Sequence, residues 1–248
     1  MAVALDWPAG TGRLVLPEVD STMAEAARRA PSLTAPTWIM AEVQTAARGR
    51  QGRAWRSTPE NFAATLVMRP GGPAAAAALR SFVAALALRD AFAAALGDAA
   101  PFALKWPNDV LLNGGKVAGI LLERLGDGAL LIGIGVNLAV APTSAEVEEG
   151  AVPPVAVADA LGAAPTPRAF LDTLAPAFAA RETQLVAQGF ASLREDWLAH
   201  AARLGDVIRA RVGADTYHGT FETVDDEGRL ILRTAKGRRE IAAADIYF

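Results

Sequence analysis

The sequence predicts an α/β (α+β) chain in two parts, a mixed strand-and-helix domain over residues 1–203 and a small all-β domain over 204–248. Three observations lead there. Up to residue 203, β-rich runs alternate with longer helical patterns. From Gly205 the texture changes to short alternating runs, "VIRARV", "YHGTFETV", "RLILRT" and "REIAAADIYF". Turn residues such as Asp226-Glu227-Gly228 and Lys236-Gly237 separate them, the pattern of a small barrel or meander. Finally, 248 residues suffice for one large domain and a small second one.

The elements follow in order. In "VLPEVDSTMAEAARRA" a strand at Leu14–Val19 runs into a helix, where Thr22 and Glu25 have capping-box spacing. "TWIMAEVQT" is a β-rich run between Pro36 and the Gly/Arg segment "ARGRQGR". "NFAATLVMRP" is a further strand, ended by Pro70, Gly71 and Gly72. Residues 74–96 form an alanine-rich helix whose Phe82, Val83, Leu86, Leu88, Phe92 and Leu96 leave few polar positions, so it is buried. In "KWPNDVLLNGGK", Pro107 keeps Trp106 out of the helical region. Asn113-Gly114 between apolar runs predicts a hairpin, with strands at Val110–Leu112 and Lys116–Glu123. "ALLIGIGVNL" supplies the next strand, and residues 141–157 are a surface loop bearing Pro and Glu. A helical region follows from Arg168 to Leu204, interrupted at Pro176.

Composition narrows the chemistry. Cysteine is absent, which excludes disulfides, thiolate metal sites and a cysteine nucleophile. The two histidines, His200 and His218, stand late in the chain, so an enzyme built here works without the usual imidazole base unless one of those two serves. A net charge of −3 argues against a surface that tracks nucleic acid. No run approaches the ~20 apolar residues of a membrane span, and the N-terminus lacks a basic leader pattern, so the expected location is cytoplasmic.

Two stretches carry the site. "RGRQGR", Arg48 to Arg53, alternates guanidinium groups with glycines; alone it reads as a solvated loop, but it lies between two buried-looking strands, where it can close over a ligand. Gly119, Gly133 and Gly135 interrupt two apolar strands, and interior glycines mark a ligand approaching the backbone, here the floor of a cleft. Asn137 follows as a buried amide in need of partners. The phosphate loop GxxxxGK[ST], GxGxxG after a strand and HExxH are all missing.

These residues resemble the biotin–protein ligase family, the biotin–[acetyl-CoA-carboxylase] ligases, in a short form without a DNA-binding domain. "DSTMAEA" resembles the family's ST(N) segment, and "QTAARGRQGRAW" its GRGRRGRxW adenylate loop. "KWPNDVLLNGGKVAGILLE" resembles KWPND…K…GIL.E, and "GIGVNL" the GIGxN strand. The four motifs occur in the family's order. The resemblance implies a catalytic domain with a mostly antiparallel sheet and an SH3-like C-terminal module. It also implies a two-step reaction: biotin and ATP, with Mg2+, give biotinyl-5′-AMP, and a lysine of a biotin carboxyl carrier domain then takes the biotin.

By that resemblance, Lys116 is the catalytic lysine bridging biotin's carboxylate and the phosphate, with Arg48 and Asp109 also catalytic. Ser21, Thr22, Met23 and Gln44 read the ureido ring, while Gly49 and Gly119 line the biotin site with Arg48, Arg50 and Lys116. Arg48, Arg50 and Arg53 close over the adenylate, Trp55 lies near the adenine, and Lys105, Asn108 and Asn137 serve the nucleotide and its metal. Asp109 meets the acceptor lysine, orienting its amine and accepting a proton late. No residue cluster is expected to hold a metal by itself. Met23, Ala47 and Gln51 depart from the family's Asn, Gly and Arg, which bears on how tightly the adenylate is held.

Two further classes compete. A lipoate–protein ligase on the same scaffold fits the composition, but "RGRQGRAW" with "KWPND" favours biotin. A non-catalytic biotin- or nucleotide-binding protein is opposed by intact Lys116 and Arg48. Only about twenty residues precede Ser21, fewer than the ~50 of a helix-turn-helix domain, so no DNA binding is expected. A homodimer through the catalytic sheet is implied by analogy alone.

Overall fold

The computed structural model describes residues 6–97, 101–148 and 150–248. Residues 1–5, which contribute to the leader reading, lie outside the described residues. Strand β1 (Gly12–Val19), helix α1 (Thr22–Arg29) and strands β2 (Thr37–Gln44) and β3 (Phe62–Met68) open the chain. Helices α2 (Ala74–Ala78) and α3 (Arg80–Leu96) lead to strands β4 (Phe102–Lys105), β5 (Asp109–Leu112), β6 (Gly115–Arg124) and β7 (Leu130–Val136). Helices α4 (Val157–Leu161), α5 (Pro167–Gln188) and α6 (Phe190–Leu198) precede β8 (Val207–Val212), β9 (Asp215–Val224), β10 (Leu230–Thr234), β11 (Gly237–Ile241) and β12 (Asp245–Tyr247).

The first seven strands form one sheet in the order β1-β2-β3-β7-β6-β5-β4. Only β1 and β2 run parallel; the remaining pairs are antiparallel, as the family resemblance implied. Alternation along the strands sorts side chains to two faces. Trp38, Met40, Ile132 and Ile134 enter the main core with α3 and α5, whereas Ile39 and Leu131 join Met23 and Ala26 in a smaller cluster around α1. Gly133 and Gly135 share the face of Leu131. Across the ladder, Gly119 of β6 stands directly opposite Gly135, and Leu121 opposite Gly133. The α1 face of the sheet thus lacks side chains at Gly119, Gly133 and Gly135, between Leu121 and Leu131.

The C-terminal strands form a second, fully antiparallel sheet in the order β11-β10-β9-β8-β12. Its inner residues Ile208, Phe221, Leu230 and Leu232 enter the same core as Phe82 and Trp197. Trp197 bridges the two, 5.2 Å from Phe82 and 6.5 Å from Phe221 between ring centres. Trp106 Nε1 donates to the carbonyl of Gly228 at 3.0 Å, across the same boundary.

Several expected boundaries move. The N-cap of α1 is Ser21 rather than Thr22: its Oγ accepts from Ala24 N at 3.0 Å, while Glu25 pairs with Arg28 and Arg29 instead of reaching back. The alanine-rich helix divides at Leu79. Pro176 lies inside an unbroken α5, and the interruption comes at Gly189, whose φ of 76° ends the helix. Helical structure stops at Leu198, after which the backbone of residues 200–202 pairs with Leu104 along the outer edge of β4. "REIAAADIYF" is two strands, because β12 leaves β11 and pairs with β8. The hairpin stands where expected, with Asn113 at φ 50° and Gly114 at φ 80°, the left-handed pair of a tight two-residue turn. No helix among the described residues is long and apolar enough to cross a membrane.

Candidate active site

Over the glycine-bearing face lies a cavity of about 700 Å³. Its rim is built by the N-terminus of α1, the end of β2, the 47–56 loop, the β4–β6 strands, the 141–157 loop and β12. Every residue nominated from the sequence lines it. The side chain of Gln51 lies outside the described residues.

One end is neutral and polar. Gln44 Oε1 accepts from the backbone N of Thr22 at 2.8 Å and from its hydroxyl at 3.1 Å. Thr65, buried in β3, donates to Thr22 Oγ1 at 2.9 Å. The hydroxyl proton of Ser21 and the Nε2 group of Gln44 find no partner among the described residues, so both are donors available to a ligand. Met23 turns its thioether onto Gly133, where an added Cβ would come within 2.7 Å of the sulfur.

The middle is ionic. Asp109, 9% exposed, is 2.7 Å from Lys116 Nζ through Oδ1 and 3.7 Å from Lys105 Nζ through Oδ2. Adjacent pairing of β4, β5 and β6 causes this convergence, since Lys105 faces Asp109 and Asp109 faces Gly119. Burial pushes the Asp109 carboxyl up, but Lys116, Lys105 and Arg50 together hold it below the ordinary carboxylate range. Burial likewise pulls the Lys105 ammonium down, with Asp109 opposing. Lys116 is fixed through its backbone: its N donates to Pro153 O at 2.8 Å and its O accepts from Val155 N at 3.0 Å. Asn137 supports that strap, donating through Nδ2 to the carbonyls of Lys116 and Val155 at 3.4 and 3.3 Å.

The far end is cationic. Gly49 N donates to Arg53 O at 2.7 Å and Trp55 N to Ala47 O at 3.0 Å, folding the loop on itself. Arg50 donates to Asn108 Oδ1 at 3.1 Å, and Asn108 Nδ2 donates to Ile120 O at 2.6 Å, so Asn108 anchors Arg50 to β6. Arg53 pairs with Asp245 and Glu148. The Arg48 side chain is exposed and meets no partner among the described residues. Trp55 lies flat on β6 and β7: a Cβ at Gly135 would stand 2.6 Å from its indole, and one at Gly119 3.2 Å. The close approach that the glycines permit is therefore made first by Trp55 and Met23.

Residues 15–139 match the biotin/lipoate A/B protein ligase family, and residues 204–248 match the biotin protein ligase C-terminal domain. The chain belongs to the biotin/lipoate A/B protein ligase family. A relative from Paracoccus denitrificans, named biotin–[acetyl-CoA-carboxylase] ligase, is 56% identical over 94% of this chain and 99% of its own length. The biotin protein ligase from Aquifex aeolicus, in complex with biotin and ATP, shares the fold with a TM-score of 0.78 at 23% identity, covering 95% of this chain and 97% of that one. The biotin protein ligase from Leishmania major, in complex with biotin, aligns with a TM-score of 0.64 at 27% identity over 95% of this chain and 99% of that one.

Within this family member, sequence reasoning overlooked one wall of the cavity. Asp245 and Tyr247 of β12, with Glu146 and Glu148 of the 141–157 loop, all line it. Glu146 pairs with Arg56 at 3.1 Å. The one local trace was an acid set among apolar residues in "AAADIYF".

Proposed function

We propose that this chain is an ATP-dependent biotin–protein ligase, forming biotinyl-5′-AMP and passing biotin to a lysine of a carboxyl carrier domain. The observation that carries it is one cavity holding a neutral polar end, a Lys116–Asp109–Lys105 centre and an arginine-bearing loop in sequence. Kinship with the Paracoccus ligase supports the acceptor class. Residues 1–203 make the catalytic domain and 204–248 the C-terminal domain.

A ureido ring presents one carbonyl oxygen and two N–H groups. Ser21 Oγ–H and Gln44 Nε2 supply donors to the oxygen, and Thr22 Oγ1 keeps a lone pair for an N–H. Met23 walls the ring. The two-residue step from Gly133 to Gly135 covers ~7 Å of strand, the length of a short aliphatic tail, and brings its carboxylate to Lys116. A carboxylate oxygen then bonds to the α-phosphorus as the bond to the bridging oxygen breaks and pyrophosphate leaves. Charge grows on phosphate oxygens, which Lys116, Arg48 and Arg50 face, while Arg53, held by Asp245 and Glu148, closes the loop over them; such preorganised cations are worth more here than in water. Lys105 and Asn108 position this end, and Asn137 holds the Lys116 strap.

In the second step the acceptor amine attacks the acyl carbonyl, the carbon–oxygen bond to AMP breaks, and the amine loses its proton. Asp109, kept ionised, steadies positive charge on that amine once Lys116 turns to phosphate. Among the described residues no three acidic, histidine or cysteine side chains gather to hold a metal. The acids of the cavity are engaged by Lys and Arg, so Mg2+ enters as part of the MgATP substrate, bound by phosphates and water.

Biotin-dependent exchange of labelled pyrophosphate into ATP tests the first step. Exchange that needs biotin supports the reading; exchange with lipoate alone, or none, contradicts it.

A further inference from the structure

We infer that Glu148 and Arg211 are positioning residues for this reaction, completing a closed ring of four charges that holds the 47–56 loop down on the cavity. Arg53 Nη2 lies 2.9 Å from Asp245 and 3.1 Å from Glu148. Arg211 Nη2 lies 3.1 Å from Asp245 and 2.6 Å from Glu148. Each acid faces both guanidinium groups, and each guanidinium faces both acids. The four residues come from three separate places: Arg53 from the loop, Glu148 from the 141–157 crossover, and Arg211 and Asp245 from β8 and β12 of the second sheet.

Side chains decide where this loop rests. Among the described residues the backbone hydrogen bonds of residues 47–56 stay within the loop. Among the described residues its outward ties include Trp55 on the glycines, Arg50 on Asn108 and on Ala244 O, the Arg56–Glu146 pair and the ring. Of these, the ring reaches the C-terminal sheet, and the long Arg50 contact to Ala244 O, at 3.5 Å, reaches the turn just before β12. The loop carries Arg48 and Arg50, so loosening it removes cations from the phosphate of a held acyl-adenylate. Arg211 and Glu148 touch no reacting atom in this scheme; they act by fixing Asp245 and Arg53. Both are more than a third exposed, so their contribution is screened by salt.

The inference rests on the biotin-ligase reading. Its test loads the full chain with labelled biotinyl-5′-AMP, chases with excess unlabelled compound and follows the label retained. Glu148→Gln and Arg211→Gln each release it about five-fold faster, the upper range for solvent-facing pairs. The double variant is no faster than the faster single, because either change opens the ring, and Arg211→Lys recovers part of the retention. Release from the unaltered protein quickens as salt rises from about 50 to 500 mM, while release from the variants changes less. The salt series needs no substitution, and thermal midpoints check that the variants fold. Single variants that retain label as long as the unaltered protein, effects that multiply in the double, or salt-independent release overturn the ring alone. An unaltered protein that never binds the adenylate overturns the ligase reading, and the ring's role with it.

Discussion

Gly135→Ala probes the cavity floor without touching a charged group. Gly135 lies in β7 with ordinary strand conformation, so the backbone accepts alanine. The new Cβ would stand 2.6, 2.7 and 2.8 Å from Cε2, Nε1 and Cζ2 of Trp55. Carbon pairs rest at about 3.5–4.0 Å, so the indole must move by about 1 Å. Trp55 rides on the 47–56 loop, whereas Gly135 is locked between β3 and β6, so the loop yields rather than the sheet. Overpacking costs about 1–3 kcal/mol, and the lower half of that range corresponds to roughly 5- to 30-fold in affinity. The expected result is a KM for biotin raised by that factor in pyrophosphate exchange, with a thermal midpoint close to the parent's. Gly119→Ala is the control, since its Cβ meets Trp55 at 3.2 Å and Lys116 at 3.5 Å, within reach of a small adjustment. An unchanged KM for Gly135→Ala, or a larger effect at Gly119, would refute the seating of Trp55 on these glycines.

Lys116→Ala is expected to lower carrier labelling by ~10²-fold or more with the fold intact, because it removes the cation at the reacting phosphate; unchanged turnover sinks that role. Asp109→Asn is expected to slow transfer to the carrier more than exchange, read by comparing the two rates on one preparation. It is also expected to destabilise the protein at neutral pH by about 3 kcal/mol, since Lys105 is left buried without a counter-charge. Asp109 is held below the ordinary range, so its contribution is present above its unfolded value of ~3.9 and is lost as pH falls through the lower folded value. The gap between parent and Asp109→Asn should therefore close in acid, and a gap that widens there would contradict the pairing. Ending the chain at residue 204 uncovers Phe82, Trp106 and Trp197, so the truncated protein is expected to melt far lower or aggregate. A monodisperse product melting near the parent would show that the second sheet adds little to the core.

Much of the site was legible because its signals are local. Asn113-Gly114 between apolar runs favours a two-residue hairpin, and that hairpin delivers Lys116 beside Asp109. Glycines 119, 133 and 135 marked a close approach, though the approaching groups proved to be Trp55 and Met23, brought from distant segments. The helix cap was misplaced by one residue because Ser21 and Thr22 are both competent; the backbone at Ser21, with φ −153° and ψ 150°, settles which one caps. Pro176 misled for a related reason, since a proline signal speaks to one missing hydrogen bond while α5 is held by packing on α3. The ring of Arg53, Glu148, Arg211 and Asp245 was invisible, because its members are up to 192 positions apart and each reads alone as a solvated charge.

The most direct measurement incubates the protein with MgATP and a carboxyl carrier domain, adding either biotin or lipoate, and weighs the carrier intact. The predicted result is one added biotinyl group on the carrier lysine, dependent on ATP and absent with lipoate. A carrier that gains lipoyl but not biotinyl mass, or gains neither, would contradict the account.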